Sequence, residues 1–336
     1  METILEAKNL TKKFPVEMGI FGVRSDSFIH AVDNVTFSIK KGETFGLVGE
    51  SGCGKTTVAK LILRLLNPTG GIINYSGENI FDRKFPLSKM RRKIQLIFQD
   101  PYSSLNPRMT VYDIIGEPLD IHKLAKGKEK KRRILELMET VGLAPFHLYR
   151  YPHEFSGGQR QRVVIARALA VEPEILIMDE PVSALDVSVR AQVLNLLEEL
   201  QKQFDLTFIF ISHDLSVVRH VCDRCGVMYL GQIVELGDVN TLFDNPQHPY
   251  AEALLAAVPI PDPRMRKKRE ILSGEVPTPI DPPPCCRFAQ RCKHAQDICF
   301  KEEPPLLEIK PDHNVACFYP TDLRGTDSVP FGSKEE

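Results

Sequence analysis

No stretch of this chain approaches the ~18–20 uninterrupted apolar residues that a membrane-crossing helix needs. Its opening residues, METILEAKNL, lack the basic start and apolar run of a signal peptide. Both absences make the cytoplasm the expected compartment. An excess of charge is missing as well. With 43 Lys and Arg against 44 Asp and Glu, no global field draws the chain to nucleic acid or to an anionic bilayer, so partners have to be recognised by local surface. Disulfides are not expected among the eight cysteines, because a cytoplasmic chain keeps its thiols reduced. Cys285, Cys286, Cys292, Cys299 and Cys317 crowd beyond Pro284, and that uneven placement favours metal binding in the tail. At 336 residues, 43% of them hydrophobic, the chain has material for one large core or two smaller ones. A main domain with an appendage is expected.

Short apolar runs at 44–48, 94–98, 175–178 and 208–211 have the look of buried parallel strands. Helical patterns separate most of them. After Lys55, Val58, Leu61, Ile62, Leu65 and Leu66 recur at helical spacing, as do Val193, Leu196, Leu197, Leu200 and Phe204. Strand then helix, repeated, predicts an α/β sheet. Between Asp100 and about Ala170 the pattern is helical without a strand signal, which predicts a helical subdomain inserted into the sheet domain. The proline-rich segment from Pro259 to Pro284 predicts a linker or an extended wrap. A small C-terminal module follows, and the polar residues from Gly325 on are expected to fray.

Gly49-Glu50-Ser51-Gly52-Cys53-Gly54-Lys55-Thr56 fits the phosphate-loop pattern, directly after a predicted strand and at the start of a predicted helix, the context that pattern requires. Glycines let backbone N–H groups turn toward phosphate oxygens, and the following helix N-terminus adds partial positive charge. Lys55 is expected on the β- and γ-phosphates of ATP and the Thr56 hydroxyl on Mg²⁺, with Thr57 completing the binding segment. The later strand 175–178 ends in Asp179-Glu180, two carboxylates at the C-terminal edge of a sheet. Asp179 suits Mg²⁺, and Glu180 suits orienting or deprotonating the water that attacks the γ-phosphate.

Phe155-Ser156-Gly157-Gly158-Gln159, followed by ArgGlnArgValValIleAlaArgAlaLeu, resembles the signature sequence of ATP-binding-cassette (ABC) proteins. The resemblance covers roughly residues 4–250. It implies an α/β fold, a P-loop ABC-type nucleotide-binding domain with a RecA-like core and an inserted helical subdomain at about 100–170. A small irregular cysteine-containing extension at 251–324 and a flexible tail at 325–336 follow. Gln99 resembles the family's Q-loop glutamine, Ser183-Ala184-Leu185-Asp186 its D-loop, and His213 its switch histidine. The resemblance implies catalytic roles for Glu180, His213 and Lys55, with Gln99 also sensing Mg²⁺. It implies that Ser156, Gly157, Gly158, Gln159 and Asp186 meet ATP held by a second subunit, in a head-to-tail dimer. Phe14 is the best match for the adenine-stacking aromatic, with Phe21, Phe28 and His30 as competitors on the segment Pro15–Ala31.

AspProTyrSerSerLeuAsnProArgMetThrVal after Gln99, AsnProGlnHisProTyrAlaGluAlaLeuLeu at 245–255, and the cysteine tail resemble the ATPase subunits of oligopeptide and dipeptide importers. This implies an ATP-hydrolysing subunit on the cytoplasmic face of the membrane. Its partners are a second ABC ATPase subunit, two membrane-spanning permease subunits and, indirectly, an extracytoplasmic peptide-binding protein. Cys286, Cys292, Cys299 and Cys317 match tail cysteines that carry a [4Fe–4S] cluster in such importers. Four thiolates suit zinc equally, and spacings of five, six and seventeen intervening residues fit neither ordinary ferredoxins nor short zinc fingers. Cys285, next to Cys286, leaves the set itself open. Alternative functions are an importer ATPase for another small solute such as nickel, or a soluble ABC ATPase acting on nucleic acid or ribosomes. The single phosphate loop and lack of sustained heptads speak against the soluble class.

Cys222 and Cys225 read as buried packing, and Cys53 as a small loop residue with an oxidation liability. The basic runs Lys126–Arg133 and Arg264–Arg269 read as solvated faces.

Overall fold

The computed structural model describes residues 2–18, 23–256 and 277–324. Contacts divide the chain into two compact units, each discontinuous in sequence. One comprises Met1–Glu2, Lys40–Thr44 and Asp82–Ile211, and the other Thr3–Ile39, Phe45–Phe81 and Ser212–Glu336. The tail from Gly325 and the run Arg264–Arg269 lie outside the described residues.

The second of these units begins with β1 (Thr3–Met18) and β2 (Val23–Lys40). Most of the segment expected to separate Phe14 from the next strand is therefore itself strand, and Phe21 lies outside the described residues. The all-buried β3 (Thr44–Val48) runs into the phosphate loop and then α1 (Lys55–Ile62). Val58, Leu61 and Ile62 form the buried face of α1, as their spacing predicts. The helix stops short of the predicted stripe: Arg64 turns left-handed with φ 51°, Asn67-Pro68 follow, and Leu65 is 55% exposed. β4 (Gly70–Tyr75) pairs antiparallel with β1, and β5 (Glu78–Asn79) with β4, in the sheet order β2-β1-β4-β5.

In the other unit, α2 (Leu87–Lys93) leads into β6 (Ile94–Ile97), which pairs in parallel with β7 (Ile175–Asp179). Between them lie α3 (Val111–Ile121), α4 (Gly127–Thr140) and α5 (Gly157–Leu169), the helical stretch the sequence predicts. α4 carries Lys126–Arg133 largely exposed, as read from the sequence. α6 (Val187–Phe204) buries Val193, Leu196, Leu197 and Leu200, whereas Phe204, the last of the predicted stripe, is 43% exposed. β8 (Thr207–Ser212) is wholly buried and parallel to β7. A Cβ on Gly158 of α5 would sit 2.3 Å from Val189 Cγ1 of α6, so a larger residue at 158 has to push α6 away.

The second unit resumes with α7 (Leu215–Val221) and β9 (Arg224–Tyr229), which lies parallel to β3, and β10 (Gln232–Asp238) returns antiparallel to β9. Cys222 and Cys225 are buried here, and a Cβ on Gly46 would lie 2.9 Å from Cys225 Cβ, so both cysteines are packing residues. α8 (Val239–Asp244) and α9 (Pro249–Ala256) follow. The described end of the proline-rich segment runs extended along β2, with His30 N–H donating to Pro279 O at 2.8 Å and Asp281 N–H to Phe28 O at 2.9 Å. The extension proper is two 3₁₀ turns, Ala289–Arg291 and Asp297–Phe300, and the hairpin of β11 (Leu307–Lys310) and β12 (His313–Val315). β12 adds to β10, with Glu235 opposite Val315.

Glu235 anchors this junction. It is fully buried, and its carboxylate accepts the Gln247 N–H at 2.8 Å, the His248 N–H at 2.7 Å and His313 Nε2 at 2.8 Å. Replacing Glu235 by leucine strands those buried groups and is expected to cost ~3–5 kcal/mol in urea unfolding. Glu198→Ala, which loses an exposed pair with Lys202 on α6, is expected to cost less than ~1 kcal/mol. Equal losses would refute the anchoring role.

Candidate nucleotide site

The phosphate loop owes its shape to close main-chain packing. Gly49 has φ +149° and Gly54 φ +112°, and a Cβ on either would lie 2.2 Å from a carbonyl oxygen, Met228 O and Ala31 O respectively. No other residue fits at these two positions. Lys55 is 7% exposed, and its ammonium donates to Gly49 O at 2.8 Å and Glu50 O at 2.9 Å. The cation is thus held by carbonyls of its own loop. Ser51, Gly52 and Thr56 face solvent, while Thr57 is half-buried. Cys53 is 4% exposed, and burial pushes its thiol up despite Lys55 nearby. The oxidation liability expected from sequence is therefore corrected, since a buried, protonated thiol is a poor nucleophile.

Glu50 is engaged by residues far along the chain. Its N–H donates to the Tyr250 hydroxyl at 3.0 Å. Its two carboxylate oxygens accept from Arg291 at 2.9 and 3.2 Å. Of the aromatic candidates, Phe14 is half-buried on β1 with the Lys12 ammonium 5.0 Å from its ring centre. Phe28 is 41% exposed, and His30 Nδ1 is bound to Asp33 at 3.0 Å. His213 is exposed on the turn between β8 and α7. There Asp214 N–H donates to Ser212 Oγ at 2.9 Å, fixing the turn.

In the unit that carries β7, Asp179 closes the strand and Glu180 turns left-handed with φ 52°, an uncommon conformation for a side chain of this length. Its N–H still donates to Ile211 O at 2.9 Å, and Ser183 Oγ donates to its carbonyl at 3.0 Å. The turn therefore fixes the direction of the carboxylate. Gln99 Nε2 donates to Glu180 Oε2 at 2.7 Å, which brings together two residues far apart in sequence. Beyond Gln99, Asp100 accepts the Tyr102 N–H at 2.8 Å and the Ser103 N–H at 3.2 Å. Those backbone bonds hold its carboxyl below the usual carboxylate range. Arg167 Nη1 of α5 holds the end of this turn, donating to Ser104 O at 2.8 Å.

Ser156 caps α5. Its hydroxyl accepts the Gln159 N–H at 3.4 Å, and Gln159 Oε1 accepts the Ser156 N–H at 3.1 Å. Ser156 and Gly157 are exposed at this helix N-terminus and Gly158 is buried. Asp186 caps α6 likewise, accepting the Val189 N–H at 3.0 Å, the bond that lowers its pKa most.

Cys286, Cys292, Cys299 and Cys317 line one cavity, together with His248 and Phe288, whereas Cys285 is not among its walls. Burial pushes Cys286 and Cys317 each up to about 12. All eight cysteines are free thiols, and among the described residues no three His, Cys, Asp or Glu gather as ligands of a single ion. Sequence reasoning missed Tyr250, Arg291 and Glu235. The signals for them were an acid in the otherwise apolar IleValGluLeuGly strand and an acid within the phosphate loop.

Residues 32–183 match the family described as ABC transporter, and residues 234–299 the one described as oligopeptide/dipeptide transporter, C-terminal region. The chain is 52% identical over 321 residues to the oligopeptide transport ATP-binding protein AppF of Bacillus subtilis (strain 168), with 94% of this chain and 97% of the relative covered. To the dipeptide transport ATP-binding protein DppF of Escherichia coli (strain K12) it is 47% identical over 318 residues, 94% of each covered. A dimeric ATP-binding cassette solved in a post-hydrolysis state with ADP and Pi superposes with TM-score 0.61 at 32% identity, over 70% of this chain and 98% of that one. CbiO1 from Clostridium perfringens gives TM-score 0.62 at 28% identity, over 73% and 92%. With a phosphate loop, a Gln99–Glu180 pair and a capped signature helix on an ABC cassette fold, the chain is an ATPase and belongs to the ATP-binding proteins of the oligopeptide/dipeptide group of ABC transporters.

Proposed function

We propose that this ATPase powers the uptake of di- or oligopeptides through a membrane permease. The observation that carries the proposal is likeness along nearly the whole chain, tail included, to oligopeptide and dipeptide transport ATP-binding proteins. Among the described residues no helix is long and apolar enough to cross a membrane. In this reading a separate pair of permease subunits spans the bilayer and this chain attaches to their cytoplasmic side. The segment after Gln99 suits docking: its turn is braced by Asp100 and Arg167, while Phe98 and Tyr102 are 47% and 61% exposed. An extracytoplasmic peptide-binding protein would deliver the cargo.

In this reading the phosphate loop takes the triphosphate, and Lys55 exchanges its bonds to Gly49 O and Glu50 O for the β- and γ-phosphate oxygens. Thr56 and Asp179, with Gln99, are the residues that would hold Mg²⁺, and their hard oxygen donors fit it. The ion, when bound, neutralises charge on the phosphates. Glu180 accepts the hydrogen bond, and then the proton, of the attacking water, with Gln99 orienting its carboxylate. His213 donates to the γ-phosphate. Ser156, Gly157 and Gly158 offer the free end of α5 to ATP held by a partner cassette, with Gln159 bracing the cap and Asp186 ordering the following turn. Phe14 stacks on adenine after its Lys12 neighbour moves aside.

The tail reads as a [4Fe–4S] site in preference to zinc. Four thiolates on one zinc ion stand about 4 Å apart, whereas a cubane holds its cysteines farther apart around its corners. Cys286, Cys292, Cys299 and Cys317 line one cavity, and the preference for the cluster rests on the likeness of this tail to that of oligopeptide and dipeptide transport ATP-binding proteins. Arg324 is near enough for its positive charge to act on the Cys292 and Cys317 thiols, lowering both against the effect of burial.

Reconstituted with permease and binding protein in vesicles, the wild-type chain is expected to support ATP-dependent peptide uptake. Glu180→Gln should bind MgATP with turnover reduced at least ~100-fold. Turnover near wild type would remove Glu180 from its role, and uptake of another solute class instead would overturn the peptide reading. Purified without oxygen, the chain should be brown, with about four irons and four sulfides per chain, and Cys292→Ser should lose them. A colourless, zinc-loaded protein would replace the cluster by a zinc site.

A further inference from the structure

The phosphate loop is gripped by residues that lie far beyond it in sequence. Arg291 precedes a cavity-lining cysteine and forks both carboxylate oxygens of Glu50, the second residue of the loop. The Arg291 side chain is 6% exposed and that of Glu50 25%. Arg291 also reaches the Tyr229 hydroxyl at 3.4 Å. Tyr250 is fully buried and accepts the Glu50 N–H. Phe288, in the same turn region as Arg291, wedges against both tyrosines, its ring centre 5.3 Å from Tyr229 and 5.5 Å from Tyr250. Tyr250 is in turn seated through Glu235, which holds the N–H groups of Gln247 and His248 at the start of α9.

Two physical problems are met by this arrangement. A carboxylate beside a site for a polyanion repels its ligand, and a bidentate guanidinium neutralises it while fixing its direction. A glycine-rich loop must also be held in one shape, or binding has to order it at a cost in affinity. Tyr250 satisfies the loop's first non-glycine N–H, and Arg291 fixes the direction of the Glu50 carboxylate.

We propose that Arg291 and Tyr250 are positioning residues for nucleotide binding: the C-terminal module and α9 clamp Glu50, and through it preset the phosphate loop for MgATP. The inference rests on the loop being the ATP phosphate site and is independent of what the tail thiols hold.

Equilibrium MgATP binding and steady-state turnover of the full chain test it. Arg291→Ala is expected to raise Kd and KM at least ~10-fold, the scale of a charged hydrogen-bonded pair, with kcat changed less than about threefold. Arg291→Lys should recover part of the loss, since it keeps the charge and loses the fork. Glu50→Gln combined with Arg291→Ala should be no weaker than Arg291→Ala alone, because both remove one interaction. Tyr250→Phe, which removes only the acceptor, should raise Kd severalfold and decides the matter if Arg291→Ala does not fold. Kd and KM within about twofold of wild type in folded Arg291→Ala and Tyr250→Phe would overturn the proposal. Lys55→Ala is the separate check on the loop itself: unchanged MgATP affinity there would remove the ATP reading rather than the clamp.

Discussion

A loop that binds phosphate through its main chain must hold N–H groups open toward solvent while the rest of its backbone is fully occupied. That constraint explains the neighbourhood of residues 49–56. Gly49 and Gly54 press against Met228 O and Ala31 O so closely that a methyl group is excluded, and Lys55 satisfies two loop carbonyls. Rigidity has to come from outside, because a run with so many glycines carries little of its own. β3, β9 and the start of α9 supply it, and the buried Glu235 fastens α9 and β12 to β10.

The other unit meets a different demand. There the proposed chemistry needs a carboxylate aimed by the main chain. Glu180 leaves β7 through a left-handed turn tied to Ile211 O and Ser183. Gln99 finishes the aim from the neighbouring strand. α5 and α6 begin with side-chain caps at Ser156 and Asp186, so one residue of the signature sequence and one of the D-loop each have a structural role at a helix N-terminus. In an ABC cassette such double use is economical: the same hydrogen bond that starts a helix sets the direction of its exposed end.

Much of this was legible in the sequence, for local reasons. β3 and β8 are apolar runs buried throughout and β7 nearly so, β6 is a shorter apolar run only partly buried, and α6 is amphipathic over most of its length, so the pattern of apolar residues alone located them. The glycines of the loop and the signature could be read because their chemistry is confined to a few consecutive residues. What escaped depended on distance along the chain. Nothing near Glu50 announces Arg291, and nothing near Glu235 announces His313. The extent of β1 and β2 was hidden too, since Pro15 and the mixed polar residues after it do not alternate as a strand should, and only pairing across the sheet stabilises them. α1 ended early because Arg64 broke the helix where the apolar pattern continued.

The left-handed backbone of Glu180 sets two kinds of fitness against each other. Glycine or asparagine at 180 would relax the main chain and lengthen the protein's survival on heating, yet neither offers the carboxylate that the proposed hydrolysis uses. Under that proposed role, a variant library ranked by melting temperature would drift toward inactive cassettes at this position, and ancestral or consensus stabilisation of such an ATPase has to hold residue 180 fixed by hand.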